Sequence, residues 1–556
     1  MKRLYPLAIP LLCLCAPLHA QVSLDGTWGN NDKLTGPNYQ IGANLGQPQG
    51  DNLFHSFKDF NLQSGESATF FGPGDFQNVI SRVTGGNPSN IDGVIKSDID
   101  GANMYFLNPY GIMFGPNAKL EVQGSFHAST ADTLRFGDGN EFNARQPSNS
   151  VLTVAPIKAF GFLTGSPESL SVKGSELSVP TGKLSLVGGN LTINQATLTA
   201  SSGFNLASVA GISDVVLGDS SLDVPPPSQL DDIRITGDSL VQTNSEGKGA
   251  IYIRGGQFVM ENSMVKTDTL GATDGLGIDV QANQLTLYDA KFLSETHGTG
   301  QGGDITVRVT DLVKFDGEQI DGNDPSNPIN ETIFLRTYGE GASGSLDLEA
   351  GQLEISGARH IGTMTLGKGK GGDVNIKVPD GDIILSRDQK LQGYVSMIVT
   401  QAHWDATNQA GNLVLEARNL ILKDGTQITS STFGTGNSGH LIIKVDDLIS
   451  LSGTDEGIRP DGSVVVLGCR ISSGAYAGGY APVEEAGDGG NIYLKTRQLS
   501  LADKAKIDSD TLFMDGQGGN VEINVHHLNM TGESTISATS RFGATGDAGT
   551  VELNVG

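Results

Sequence analysis

Ten glycines set the geometry of the second half of this chain. They are Gly249, Gly277, Gly303, Gly344, Gly372, Gly411, Gly439, Gly490, Gly519 and Gly549, separated by 28, 26, 41, 28, 39, 28, 51, 29 and 30 residues. A base period near 28 is interrupted by insertions of roughly ten to twenty residues. The clearest copies read "GGDITVRVTDLVKFDGEQI", "GGDVNIKVPDGDIILSRDQ", "AGNLVLEARNLILKDGTQITSST", "GGNIYLKTRQLSLADKAKIDSDT" and "GGNVEINVHHLNMTGESTISATS". Within each copy the apolar residues alternate, as in Ile305, Val307 and Val309, or Val521, Ile523 and Val525. Period-two alternation is a strand signal. A second and a third short segment follow, as in "QLSLAD" and "AKIDSDT", each bounded by Gly, Asp, Asn or Ser.

Three short strands per period of about 28 residues describe one coil of a parallel β-helix. One coil cannot bury its apolar face alone, whereas stacked coils pair like strands and pile like side chains into a narrow aliphatic column. Gly-Asp and Gly-Asn pairs turn the corners. The competing architectures are a β-propeller and a β-sandwich array; a propeller needs four strands and about forty residues per blade, and aromatic blade markers are missing. The first half follows the same pattern less regularly. "SLSVKGSELSVPTGKLSLVGGNLTINQATLTA" reads as four or five strands, and "VPPPS" at 224–228 as a loop leaving the column. The predicted fold class is all-β, a single-stranded parallel solenoid with an N-terminal cap.

The formal charge is −26, with 62 Asp and Glu against 36 Lys and Arg. Bulk charge therefore does not draw this chain to nucleic acid or anionic lipid. Residues 1–20 carry Lys2 and Arg3, then the apolar "LYPLAIPLLCLCAPL", then "LHA". This is the pattern of a secretory signal peptide cleaved after Ala20. Cys13 and Cys15 each follow a leucine, which fits a lipoprotein signal poorly. Cleavage leaves Cys469 as the one cysteine, so no intrachain disulfide is expected and Cys469 reads as a buried small hydrophobe. No later apolar run is long enough for a transmembrane helix.

Before the repeats stands a different kind of pattern. It includes "LFHSFKDFNL", "RVTGGNPSNIDG", the box "NPYGIMFG" and "GSFHASTADTL". In order and spacing these closely resemble the N-terminal secretion domain of the filamentous haemagglutinin family, over roughly residues 22–165. The family's box reads Asn-Pro-Asn-Gly, and here Tyr110 stands third. The resemblance implies a right-handed β-helix and the exported partner of a two-partner secretion system. It implies recognition in the periplasm of a Gram-negative-type envelope by a TpsB-type outer-membrane transporter barrel with POTRA domains. The chain would then be threaded unfolded and retained at the surface or released, mostly serving adhesion. The domains expected are 1–20 signal peptide, 21–165 secretion-domain core, 166–245 continuing coils, and 246–556 repeats with inserted loops. The chain stops at "AGTVELNVG" as another repeat begins, so a further C-terminal part is expected.

The residues singled out for secretion are Asn87, Pro88, Asn108, Pro109, Tyr110, Gly111, Ile112, Gly115, Gly124 and Ser125. Asn108 to Gly111 has a type I or II turn signature, with Pro109 presetting φ and Gly111 allowing positive φ. These turns mark the corners of the first coils, as scaffold alone or as scaffold plus partner contact. Leu53, Phe54, Phe57, Phe60 and Leu62 read as a cap over the open end, or with Phe54 and Phe57 as docking residues.

A β-helix can also be a polysaccharide lyase or hydrolase, which is the alternative reading. None of the nine histidines shows metal-ligand spacing, and adjacent acids such as Asp446 and Asp447 point to opposite faces of a strand. No catalytic, cofactor or metal residues are assigned. "DGNDPSNP" at 321–328 is oxygen-rich but lacks a calcium-loop pattern. The expected ligand surface for a host-cell, bacterial-cell or glycan partner lies on inserted loops at Trp404, Tyr476 and Tyr480.

Overall fold

The computed structural model describes residues 21–218, 220–226, 229–245, 249–318, 330–387, 394–403, 405–458, 464–476, 487–512, 515–541 and 545–556. The signal segment 1–20, Trp404 and Tyr480 lie outside the described residues.

An unbroken series of parallel pairings runs from Asn52–Phe60 to Val551–Val555. The expected parallel β-helix is therefore present, and one column joins both halves. In the N-terminal half a coil holds three short strands, as in Leu184–Gly188, Leu191–Asn194 and Thr197–Ala200. From Ala250–Glu261 onward the expectation of three separate strands is corrected. The first two fuse into one bent strand of 10 to 12 residues. Ile305–Asp316 buries Ile305, Val307 and Val309, then skips to Val313 and Phe315. The skip falls at exposed Thr310 and Asp311, where the pairing register shifts. No proline interrupts the ladder at that point, so pairing continues round the corner.

A second sheet supplies one strand per coil. It stacks Ile361, Ile398, Ile428, Ile471 and Ile507 in one buried line. Two residues further along, the inward line is Thr363, Thr400, Ser430, Ser473 and Ser509. The interior is thus not wholly aliphatic. All of these hydroxyls but that of Thr400 bond the glycine corners, Thr363 Oγ1 donating to Gly372 O at 2.6 Å and Ser509 Oγ to Gly490 O at 3.2 Å.

Those corners explain the glycine period. A Cβ on Gly372 would lie 1.9 Å from Gly344 O, on Gly411 1.7 Å from Gly372 O, and on Gly439 1.8 Å from Gly411 O. The backbones of successive corners touch, and only hydrogen fits between them. The next residue ties each corner to the following one. Asp373 Oδ1 accepts from Asn412 N–H at 2.8 Å, Asn412 Oδ1 from His440 N–H at 3.0 Å, and Asn520 Oδ1 from Thr550 N–H at 2.8 Å.

The N-terminal edge is closed by short antiparallel strands. Val22–Leu24 and Gln47–Gln49 both pair with Asn52–Phe60. The cap is therefore backbone as well as side chain. Leu53, Phe57, Phe60 and Leu62 fill the column, whereas Phe54 points out of it. Phe54 joins Phe136, Phe142 and Phe160 beneath an antiparallel side sheet of Thr133–Phe136, Glu141–Asn143, Ile157–Phe162, Ser213–Leu217 and Leu222–Asp223. Phe54 and Phe57 are fully buried, so in the folded chain neither is free to dock elsewhere.

Replacing Gly411 by alanine should destabilise the repeats by about 1–3 kcal/mol, because the methyl must displace backbone. Gly165→Ala, where an added Cβ meets nothing within 4 Å, should stay within about 0.5 kcal/mol. Thermal melts followed by circular dichroism check both, and equal melts would contradict the close-approach explanation.

Candidate functional site

Asn108 is completely buried. Its Nδ2 donates to Asn87 O at 3.0 Å and to Ser89 Oγ at 2.9 Å, while its Oδ1 accepts from Tyr110 N–H at 3.0 Å. The side chain thus locks the first box turn onto the turn one coil earlier. Gly111 N–H donates to Asn108 O at 3.2 Å, and Gly111 has φ +112°. Tyr110 does not have positive φ, so of the two expected turn types the second is excluded. Ile112 pairs with Ser89 on one side and Leu170 on the other. Gly115 faces Asp92, and Gly124 lies so close to Ala102 that a Cβ would sit 2.6 Å from its carbonyl oxygen. Ser125 N–H donates to Asn103 Oδ1 at 2.9 Å. Asn87 and Pro88 differ from the rest in being exposed. They line a groove of about 790 Å³ with Asp59, Asn61, Asn90 and Met113.

Sequence reasoning missed the charged residues that hold these turns. Arg145 donates to Pro109 O at 2.9 Å, pairs with buried Asp132, and sits 4.9 Å over the Tyr110 ring. The tyrosine that departs from the family's box therefore has its own partner. Arg82, 1 % exposed, donates to Ser56 Oγ at 2.7 Å and Asn143 O at 2.6 Å and stacks on Phe142 at 4.3 Å. Burial lowers its pKa to about 10. Asp25 accepts from Ser56 Oγ at 2.6 Å and Thr84 Oγ1 at 3.0 Å. Burial works against its charge, but the Ser56, Thr27 and Thr84 hydrogen bonds hold it below the usual carboxylate range. Only Arg82 shows in the sequence as a charge inside an apolar strand pattern, within Asn78–Val83; Asp25, Asp132 and Arg145 lie between strands.

Of the expected ligand surface, Tyr476 is described and half-buried. It ends Arg470–Tyr476 on the outer face of the second sheet, its hydroxyl accepting from Arg470 Nη2 at 3.0 Å. Asp268, Glu295 and His297 lie together on the same face as the described residues' one group with cation-ligand spacing. The Lys266 ammonium already occupies that position, 2.8 Å from Glu295 and 3.3 Å from Asp268.

Residues 20–253 match the family described as the TPS secretion domain. The chain carries a two-partner secretion domain. No curated protein matches it significantly. Among solved structures it is similar to the HMW1 secretion domain from Haemophilus influenzae, at 12% identity and a TM-score of 0.29, covering 96% of this chain and 97% of that one. The chain is thus an exported passenger of a two-partner secretion system, and the expected non-enzymatic role agrees with the family match. No helix among the described residues is long and apolar enough to cross a membrane.

The secretion domain buries two histidines as neutral rings. His55 is pushed down to about 4 and His127 to about 3, in both cases chiefly by burial. His127 stacks on Tyr105 at 4.4 Å and meets Ser185 Oγ at 2.7 Å. The unfolded chain takes up these protons from about pH 6.5 downward, whereas the folded domain resists until about pH 3–4. Their stabilisation is full above pH 6.5 and is lost as pH falls through that window. His127→Gln should flatten the pH dependence of the melting temperature between pH 6.5 and 4, and an unchanged slope would contradict this. Separately, Asn108→Ala leaves buried turn groups unpaired and should cost about 1–3 kcal/mol. Urea titration of the secretion domain within the full chain measures that loss.

Proposed function

We propose that the secretion domain is the address read by a TpsB-type outer-membrane transporter with POTRA domains, and that the following coils form an adhesin-like rod. In this reading the core at 21–165 and the coils at 166–245 act as one export unit. The repeats at 246–556 are the cargo, passing through the periplasm to the cell surface or the medium. The observation that carries the reading is the family match over 20–253. The fold adds a physical reason for coupling address to cargo. Ala250–Glu261 pairs with Gly203–Ser208 and Ile233–Thr236 on one side and with Gly277–Tyr288 on the other. The export unit can therefore template the first cargo coil directly by strand pairing.

The exposed turn at Asn87 and Pro88, beside its groove, is the proposed contact surface. Asn108, Pro109, Gly111, Ile112, Gly115, Gly124 and Ser125 serve as its scaffold, with Tyr110 clamped under Arg145. When the chain is expressed with a TpsB-type transporter, deletion of 21–253 should leave the remainder in the periplasm. Fractionation with protease shaving measures this. Normal surface delivery of the deleted chain would reject the proposal.

A further inference from the structure

The groove beside Asn87 and Pro88 has a further lining residue, Gln21. It is the first residue after segment 1–20, which has the pattern of a secretory signal peptide. The fold fixes its place. Val22–Leu24 pairs antiparallel with Asn52–Phe60, Val22 facing Phe60. Val22 is fully buried in the column, and its carbonyl accepts from Leu34 N–H at 2.9 Å. Gln21 O accepts from Asn61 N–H at 3.0 Å, and Asn61 lines the same groove. Lifting Gln21 away would break that hydrogen bond and draw Val22 out of the column. Consecutive Cα atoms are about 3.8 Å apart across a trans peptide. A residue bonded to the Gln21 nitrogen is thus held at the groove, and any preceding chain has to leave from it.

The groove suits such an occupant. Leu62, Pro88 and Met113 give it apolar surface, and the charged residues that line it are Asp59 and Asp92. Both carboxylates already have partners, Asp59 Oδ1 accepting from Asn87 Nδ2 at 2.9 Å and Asp92 Oδ1 from Asn117 N–H at 2.8 Å. An apolar segment can therefore lie there without stripping a carboxylate of its hydrogen bonds. The residues before Gln21 read "APLHA", with His19 as their one ionisable side chain. Extended, five residues reach about 17 Å, enough to cross a groove of about 790 Å³. The family match starts at residue 20, at this same junction.

We infer that the residues preceding Gln21 occupy this groove until the signal segment is removed, so that cleavage after Ala20 is the step that opens the transporter contact. The inference rests on the reading of Asn87 and Pro88 as the contact surface and adds its regulation. A chain still joined to its signal segment presents a filled groove to the POTRA domains. After cleavage Gln21 stays pinned by Asn61 and by buried Val22, so the groove opens without rearrangement of the fold. Recognition is thereby confined to chains that have already left the signal segment behind.

The test compares two full chains. One begins at Gln21, released from a cleavable fusion, and the other carries residues 16–20 before it. Occupancy is read in Ser64→Cys versions of both, because Ser64 is exposed and lines the groove. Maleimide labelling of that thiol is followed with time, and buried Cys469 is scored as background in the chains without the substitution. Recognition is read on those unsubstituted chains by surface plasmon resonance with the POTRA domains of the transporter that delivers the protein. Labelling at least threefold slower in the extended chain, and POTRA binding at least tenfold weaker, are expected with unchanged circular dichroism spectra. Equal labelling rates would overturn the inference, as would slowed labelling with unchanged POTRA binding. Binding by neither chain rejects the contact surface itself. The labelling rates need no transporter, so they tell that failure apart from failure of the occupancy.

Discussion

Contact between stacked corner backbones is the constraint on which the rest of this structure depends. At Gly411 the carbonyl of the coil below leaves 1.7 Å for any added carbon. That closeness allows the corner amides to reach the Asp or Asn side chain of the preceding coil, as Asn412 reaches Asp373 at 2.8 Å. It also brings the Gly372 carbonyl to the inward hydroxyl of Thr363 at 2.6 Å. Backbone, corner side chain and interior hydroxyl thus satisfy one another at Thr363, Ser430, Ser473 and Ser509, whereas the buried Thr400 hydroxyl between them has no partner. A polar interior of this kind is tolerable where its hydroxyls meet the corner backbone, as these four do. The same geometry holds the sheet strands in register, and register in turn aligns everything on the outer faces.

The secretion domain solves a different problem with different residues. It has to begin the column, whose first parallel strand among the described residues is Asn52–Phe60. Large aromatic side chains, Phe57, Phe60, Phe70 and Phe106, pack edge to face where later coils use isoleucine and leucine. Antiparallel strands close the edge, and Arg82, Asp25, Arg145 and Asp132 brace the turns from outside the column. Burying an arginine is costly unless its donors are matched, and Arg82 is matched by Ser56, Asn143 and Ser150. These interactions hold the NPYG and NPSN turns in a defined place, so that Asn87 and Pro88 stand exposed above a buried scaffold.

Much of this could be read from the sequence, because a period of 28 and alternation within it are local facts. The corners, the column and the secretion box are of that kind. What escaped was long-range. Nothing local says that residues 133–162 leave the column to meet 213–223 in an antiparallel side sheet, since their strands look like any others. The fused strands escaped because Thr310 and Asp311 resemble a break but bend without one. The outward aromatic residues escaped for another reason: the sequence places the expected ligand surface on inserted loops, whereas Tyr338 and Phe433 directly follow the strands Glu331–Thr337 and Gln427–Thr432. Tyr476, one of the three expected ligand residues, ends the strand Arg470–Tyr476 rather than lying in a loop.

If corner contact propagates one column from the cap through the repeats, the secretion domain and the cargo are a single rod. Small-angle X-ray scattering of residues 21–556 tests this most directly. The pair-distance distribution should show one narrow cross-section, with a long tail reaching on the order of 70 Å or more from coils about 4.8 Å apart. A compact globular profile, or two separated maxima from bodies joined by a linker, would contradict it.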